Sequence, residues 1–384
     1  MKKWAVLGLA LLFGAALVGA PSPAAAELKV GVSGYVKLDV QYSDKIFFLS
    51  DGPGATPLDT DKVGDNSELQ IDARQTRFRI RATDEVAGVK MASTVEVDFF
   101  TVDGNALKNH SRHVRLRHAN FRADVPGGFF ILAGQYWGML FNEDVAGTSI
   151  VDFNGPAGQF AHRQPQLRVG TRFPAGAGDL ILEGNIEQLS TRNLGAAGVD
   201  ESQGRGQTSP LFNGRVSWLG KMFKASAAGA VGKATVILAD GSDTDDTVSA
   251  FALNAEANLA PITVYAHYQF VSGLGGLANN DFAQQVNLTA ANKLEAVDSN
   301  GFYVGASLAL TKETSINAVY GYAKLDKAVV GNTHEKQQSI HLNIFHRFWQ
   351  RWMAGLEYRR FDVETFAGVE GDVNIVHGAL YFFF

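Results

Sequence analysis

The chain contains no cysteine among its 384 residues. No disulfide staples it, and no Cys-based metal or redox centre can be built. Long apolar runs are also missing: beyond the N-terminal stretch no window approaches the ~18 uncharged apolar residues of a spanning helix. Positive charge is in short supply, with 34 Lys and Arg against 39 Asp and Glu, a net of −5. That balance argues against nucleic acid and against an anionic surface as partner. What is abundant is glycine, at 41, and phenylalanine, at 26, which suits a turn-rich β-protein better than a helical one.

The two ends carry specific signals. Lys2 and Lys3 precede an apolar run from Trp4 to about Ala20, and "PSPAAA" follows before Glu27. A basic segment, an apolar segment and small residues predict a signal peptide over 1–26, cleaved after Ala26, and one domain over 27–384. Removing Lys2 and Lys3 leaves 32 basic residues against 39 acidic ones, a net of −7. At the other end, "VNIVHGALYFFF" places Val376, Gly378, Leu380, Phe382 and Phe384 on one parity. A soluble sheet rarely ends in a flat aromatic edge, because such an edge aggregates. A barrel whose last strand pairs with its first does end this way, and Leu380, Phe382 and Phe384 resemble the signal read by the barrel-assembly machinery of Gram-negative bacteria.

Between the ends the chain alternates. In "ELKVGVSGYVKLDVQYSD", Leu28, Val30, Val32, Val36, Leu38, Val40 and Tyr42 share one face, and Lys29, Ser33, Lys37, Asp39 and Gln41 share the other. Such a run suits a tilted strand crossing the ~25 Å apolar band of an outer-membrane barrel. Fifteen further segments repeat the pattern, from Phe78–Ala82 to Val376–Phe384, joined by seven short turns and eight longer loops. Both termini fall on the short-turn side. The fold class expected is all-β: a 16-stranded antiparallel transmembrane β-barrel with an inward-folded third long loop. Long joins are expected at 43–66, 139–164, 189–209, 232–246 and 272–297. Trp218, Trp349 and Trp352 beside short turns, and Trp137 beside a long loop, fit interfacial aromatic girdles. Two segments break parity. In 67–81 the apolar face switches between Ala73 and Phe78, and in "VRLRHANFRADV" it switches after Arg117. Either each switch is a β-bulge, or His118, Asn120 and Arg122 point outward into a protein–protein contact.

In a barrel of this size the face opposite Phe78 and Ile80 lines a lumen wide enough for water. Arg77, Arg79 and Arg81 lie there, joined by parity with Arg115, Arg117, Arg168 and Arg172. Lys90 sits on the intervening strand beside Glu96 and Asp98. Eleven of the 18 arginines fall between Arg74 and Arg172, more than the acids of that wall need for pairing. A positive stripe is expected; bracing of the wall by ion pairs is the alternative. The third long loop, "MLFNEDVAGTSIVDFNGPAGQFAHRQ", carries Glu143, Asp144 and Asp152. Folded into the barrel, it would set acids against the arginines and narrow the passage.

"LRHANFRADVPGGFFILAGQYWGMLF" and "VDFNGPAGQFAHRQPQLRVGTRF" resemble the DcaP-like branch of trimeric outer-membrane porins, most closely from about Gln75 to Phe173 and over the last strand. The resemblance implies sixteen strands, a homotrimer, an inward third loop and an arginine-rich constriction for small anionic solutes, organic dicarboxylates among them. It carries Arg77, Arg79, Arg115, Arg117, Arg163, Arg168 and Arg172 to the pore wall and Asp152 to the loop. Some members have an N-terminal coiled coil; here Glu27 leads straight into the first strand.

Rival chemistry finds little support. The nine histidines form no motif with a Ser nucleophile and an acid. There is no phosphate-cradling glycine loop, and "HEK" at His334 lacks the second histidine of a zinc motif, so no enzyme, cofactor or metal is expected. "DGSDTDD" (240–246) lacks the spacing and closing Glu of a calcium loop. It is expected as an exposed acidic tip, with divalent ions bridging it to lipopolysaccharide.

Overall fold

Alternation along the chain becomes alternation of environment. Leu38, Val40 and Tyr42 stand exposed on one side of the first strand, while Lys37, Asp39, Gln41 and Ser43 are buried on the other. An apolar side chain turned outward and a polar one turned inward is the reverse of a soluble sheet, and it is stable where the outer solvent is lipid. The computed structural model describes residues 28–47, 55–101, 112–151, 154–190, 204–275, 286–329 and 334–384. The expected signal peptide lies outside them.

The wall opens with β1 (Lys29–Ser43), β2 (Glu68–Asp72), β3 (Arg77–Val86), β4 (Val89–Asp98) and β5 (Arg115–Asp124). It continues through β6 (Phe129–Trp137), β7 (Arg163–Ala175), β8 (Gly178–Glu187), β9 (Leu211–Gly220) and β10 (Phe223–Ile237). Next are β11 (Asp243–Leu259), β12 (Ile262–Ser272), β13 (Val286–Leu288), β14 (Leu294–Ala296) and β15 (Asp298–Ala309). The last are β16 (Thr314–Leu325), β17 (His334–Phe348), β18 (Trp352–Thr365) and β19 (Glu370–Phe383). Wall neighbours pair antiparallel, and β19 returns to β1 from Tyr35↔Phe383 to Ser43↔Ile375. Closure leaves no edge with unpaired backbone groups in lipid. β2 and β3 both pair with β1 as halves of one wall strand, and β13–β14 form a separate hairpin. The barrel therefore has sixteen strands.

Both breaks of parity are bulges. Asp39 faces Asp72 and Tyr35 faces Arg77, so four residues (73–76) oppose three of β1. In β5 the register shifts from Leu116 opposite Val97 to His118 opposite Glu96, leaving Arg117 as the extra residue. An extra residue turns the following side chains to the other face. Here it buries both Arg117 and His118, so His118 does not point out of the barrel.

Short turns join the strands at one end, and longer loops at the other. The join expected at 232–246 is mostly strand. β10 runs to Ile237 and β11 begins at Asp243, with the ladder unbroken from Phe223↔Ala257 to Ile237↔Asp243. Lys233 pairs with Asp245 at 2.7 Å, and the Asp246 carboxylate accepts from the Ala296 amide at 2.8 Å, so these two acids are ladder residues, while Asp240 stands exposed in the turn as expected. The Asp246 bond, with Leu294 N–H donating to Thr244 Oγ1 at 3.1 Å, lays the β13–β14 hairpin against β11. Beneath it, Val286 and Leu294 join Phe160, Val236, Val248 and Val271 in one buried apolar cluster. This cluster packs against the inner face of β9–β12, whereas the wall from β4 to β7 buries Glu96, Asp98, Arg117 and Arg168.

Candidate functional site

The segment 138–162 leaves β6, crosses the polar faces of many strands and returns to β7. Asn142 donates to Ser217 of β9 at 3.2 Å, and Lys224 of β10 donates to the Asp144 carbonyl at 3.1 Å. Tyr303 of β15 donates its hydroxyl to the Ala146 carbonyl at 2.7 Å. The Val151 amide donates to Glu357 of β18 at 2.8 Å, and the Ala157 amide to Ser339 of β17 at 2.9 Å. These bonds satisfy the backbone of a segment too long for an ordinary connection.

Facing the segment is a cavity of about 480 Å³ lined by Arg77, Arg115, Arg117 and Arg163 from the wall and by Thr148, Ile150, Val151 and Asn154 from 138–162. Strand pairing puts two carboxylates among the arginines. Glu96 holds Arg117 at 2.7 Å, Arg79 at 2.5 Å and Arg77 at 3.6 Å. Asp98 takes Arg115 in a two-point contact at 2.8 Å and Arg117 at 2.9 Å. Trp137 completes the wall, with the Arg163 guanidinium 4.5 Å from its ring centroid and Phe141 at 4.7 Å. Expected as a girdle residue, Trp137 instead faces the interior. Trp218, Trp349 and Trp352 do lie beside short turns.

A second cavity of about 180 Å³ lies across Trp137 and Phe141, lined by Arg122, Arg168, Arg172, Arg215, Glu143, Asp144 and Glu183 among others. Glu183 bridges Arg168 at 3.3 Å and Arg215 at 2.7 Å. Arg168 also donates to the Trp137 carbonyl at 2.6 Å, and Arg215 to the Phe141 carbonyl at 2.8 Å; these two guanidiniums carry the root of the segment. Tyr136 donates its hydroxyl to Glu143. Although the Glu143 side chain opens to the lumen, desolvation by the protein packed around it, reinforced by Asp144, outweighs that bond and the nearby arginines and holds its carboxyl above the ordinary range.

The expected residues therefore divide. Arg77, Arg115, Arg117 and Arg163 line the first cavity, and Arg79 shares its Glu96. Arg168, Arg172, Glu143 and Asp144 line the second. Arg81 and Lys90 lie on β3 and β4, opposite Thr94 and Glu85 and outside both cavities. Asp152 lies outside the described residues. Leu380 and Phe382 are on β19 in the closing ladder, and Phe384 exchanges backbone hydrogen bonds of 3.2 Å with Gly34. Sequence reading passed over Arg215 and Glu183, although Asn213, Arg215 and Ser217 alternate with Phe212, Val216 and Trp218. It also gave no role to Lys37 and Glu357. No group of His, Asp or Glu among the described residues is arranged to hold a metal ion.

The Gram-negative porin family description matches residues 14–365. The outer-membrane channel DcaP of Acinetobacter baumannii superposes with a TM-score of 0.73 at 18% identity, covering 95% of this chain and 100% of that one. An anion-selective porin from Comamonas acidovorans gives 0.61 at 16%, covering 93% and 100%. OmpT of Vibrio cholerae, in a trimer form, gives 0.58 at 13%, covering 93% and 99%. No curated protein sequence matches the chain.

Proposed function

The chain belongs to the Gram-negative porin family, and from that premise we propose that it is a passive, anion-preferring pore for small hydrophilic solutes such as organic mono- and dicarboxylates. It is a channel of the outer membrane rather than an enzyme. The observation that carries the anion preference is the charge of the first cavity. Five guanidinium groups, those of Arg77, Arg79, Arg115, Arg117 and Arg163, gather around the two carboxylates of Glu96 and Asp98. Were Asp152 to face the same space, cations would still outnumber anions. Where the segment 138–162 narrows the lumen, low dielectric strengthens that excess, and local potential sets selectivity whatever the net charge of the chain.

In this reading 138–162 is the constriction loop and three barrels assemble as a homotrimer. Residues 1–26 direct export, the C-terminal aromatics are read by the barrel-assembly machinery, and lipid and lipopolysaccharide surround the apolar outer face. The test is the reversal potential of the purified protein in a planar bilayer under a KCl gradient. Conductance in steps of three with chloride preference supports the proposal. Cation preference, or none, would mean that the arginines serve only to brace the wall and that the channel is a general diffusion pore.

A further inference from the structure

One residue of 138–162, Val151, is gripped at both its N–H and its C=O by buried, oppositely charged side chains. The Lys37 ammonium of β1 donates to the Val151 carbonyl at 3.0 Å, and the Glu357 carboxylate of β18 accepts from the Val151 amide at 2.8 Å. The two groups belong to successive peptide units; the cation meets a carbonyl oxygen and the anion an N–H, and both bonds are charge-assisted. Neither side chain has freedom to do anything else. The ammonium fills its other two donor positions with Gln75 at 2.5 Å and Asp39 at 2.8 Å. Glu357 also accepts from Asn343 at 3.0 Å, and Asn343 in turn donates to the Ser149 carbonyl at 2.9 Å. Lys37 and Glu357 are fully buried.

We propose that Lys37 and Glu357 form a clamp that positions the constriction segment, and so act as specificity-determining residues although neither is needed to touch a passing solute. Val151 and Ile150 line the arginine cavity. Three bonds on the stretch from Ser149 to Val151 fix the height and distance at which the segment faces Arg77, Arg115 and Arg117. An undamped loop would hold that gap only on average, whereas selectivity at a constriction depends on its width. Val151 is thus held by a charged side chain at both its N–H and its C=O. The inference rests on the anion-passing reading, but two of its readouts do not.

The two charges give the clamp a distinctive signature. If Lys37 and Glu357 acted only through their fields, Lys37→Met would weaken chloride preference and Glu357→Gln would strengthen it. A clamp predicts that both variants move the reversal potential the same way, toward zero. It also predicts that both raise open-channel noise and the size of poly(ethylene glycol) that enters the pore. Asn343→Ala, which frees the Ser149 carbonyl without removing a charge, should do the same more weakly, and it serves where a charge variant fails to yield a heat-modifiable barrel. Opposite shifts at unchanged noise and exclusion size, or no change in any variant, would overturn the clamp. A wild-type pore without anion preference defeats the proposed function alone, since noise and exclusion size still report on the clamp.

Discussion

At the scale of single residues, exposure separates arginines that can meet a solute from arginines that hold the wall. The side chain of Arg79 is 47% exposed while bonded to Glu96, and that of Arg117 is 3% exposed between Glu96 and Asp98. Arg79→Gln should therefore cost little stability, since Glu96 keeps Arg117 and Arg77, and should move the reversal potential toward cations. Arg117→Gln should cost stability, because it leaves two carboxylates buried with one partner fewer; breaking a buried pair costs ~3–5 kcal/mol. Urea unfolding in lipid vesicles and bilayer recordings on the same preparations distinguish the two, and equal stability would show Arg117 to be no brace. Glu143 adds a pH dependence. Glu143 opens to the lumen, yet the protein packed around it desolvates its carboxyl and raises it above the ordinary range of ~4.3, so on acidification it takes up a proton before an unperturbed acid does. The lumen then loses a negative charge, and chloride preference should rise as pH falls through that window. Glu143→Gln should show the higher preference at neutral pH and a flatter profile.

At the scale of elements, local pattern reached as far as the wall and stopped at what crosses it. Period two is a property of each strand alone, so strand number, the outward apolar face and the inward arginines were all legible in sequence. The two bulges were visible as switches of parity, yet parity is equally broken by an outward polar patch, and the ladder around Arg117 was needed to decide. The contacts of 138–162 were not legible, because each joins residues on different strands across the lumen. Its fit at Gly158 illustrates this. The φ of Gly158 is 80°, and a Cβ there would stand 2.5 Å from the Tyr322 carbonyl and 2.7 Å from the Phe302 amide. No local cue distinguishes this glycine from the other forty. Gly158→Ala should cost about 1–3 kcal/mol from the backbone alone, and more from displacement off β15 and β16. The temperature at which the folded band converts on an electrophoretic gel reports it; an unshifted midpoint would mean the segment stands clear of that wall.

At the scale of the whole molecule, the barrel is sixteen strands around but not open across its full width. Against β10–β12 the interior is filled by the apolar cluster and roofed by the β13–β14 hairpin, while water-accessible space lies along β3–β7 beside the arginines. Burying apolar side chains against one another in that half is favourable at ~25 cal/mol per Å², so ions would have to open a packed core to pass there. The conducting path should therefore run off-centre. The absence of native cysteine makes the point directly testable with single-cysteine variants. Thr148→Cys, in the arginine cavity, should react with a negatively charged thiosulfonate and lose conductance. Ala252→Cys, fully buried on the inner side of β11, should neither react nor change. Reaction at Ala252 with a fall in current would place the path through the apolar half, and the arginine wall would then lie beside the stream of solute rather than in it.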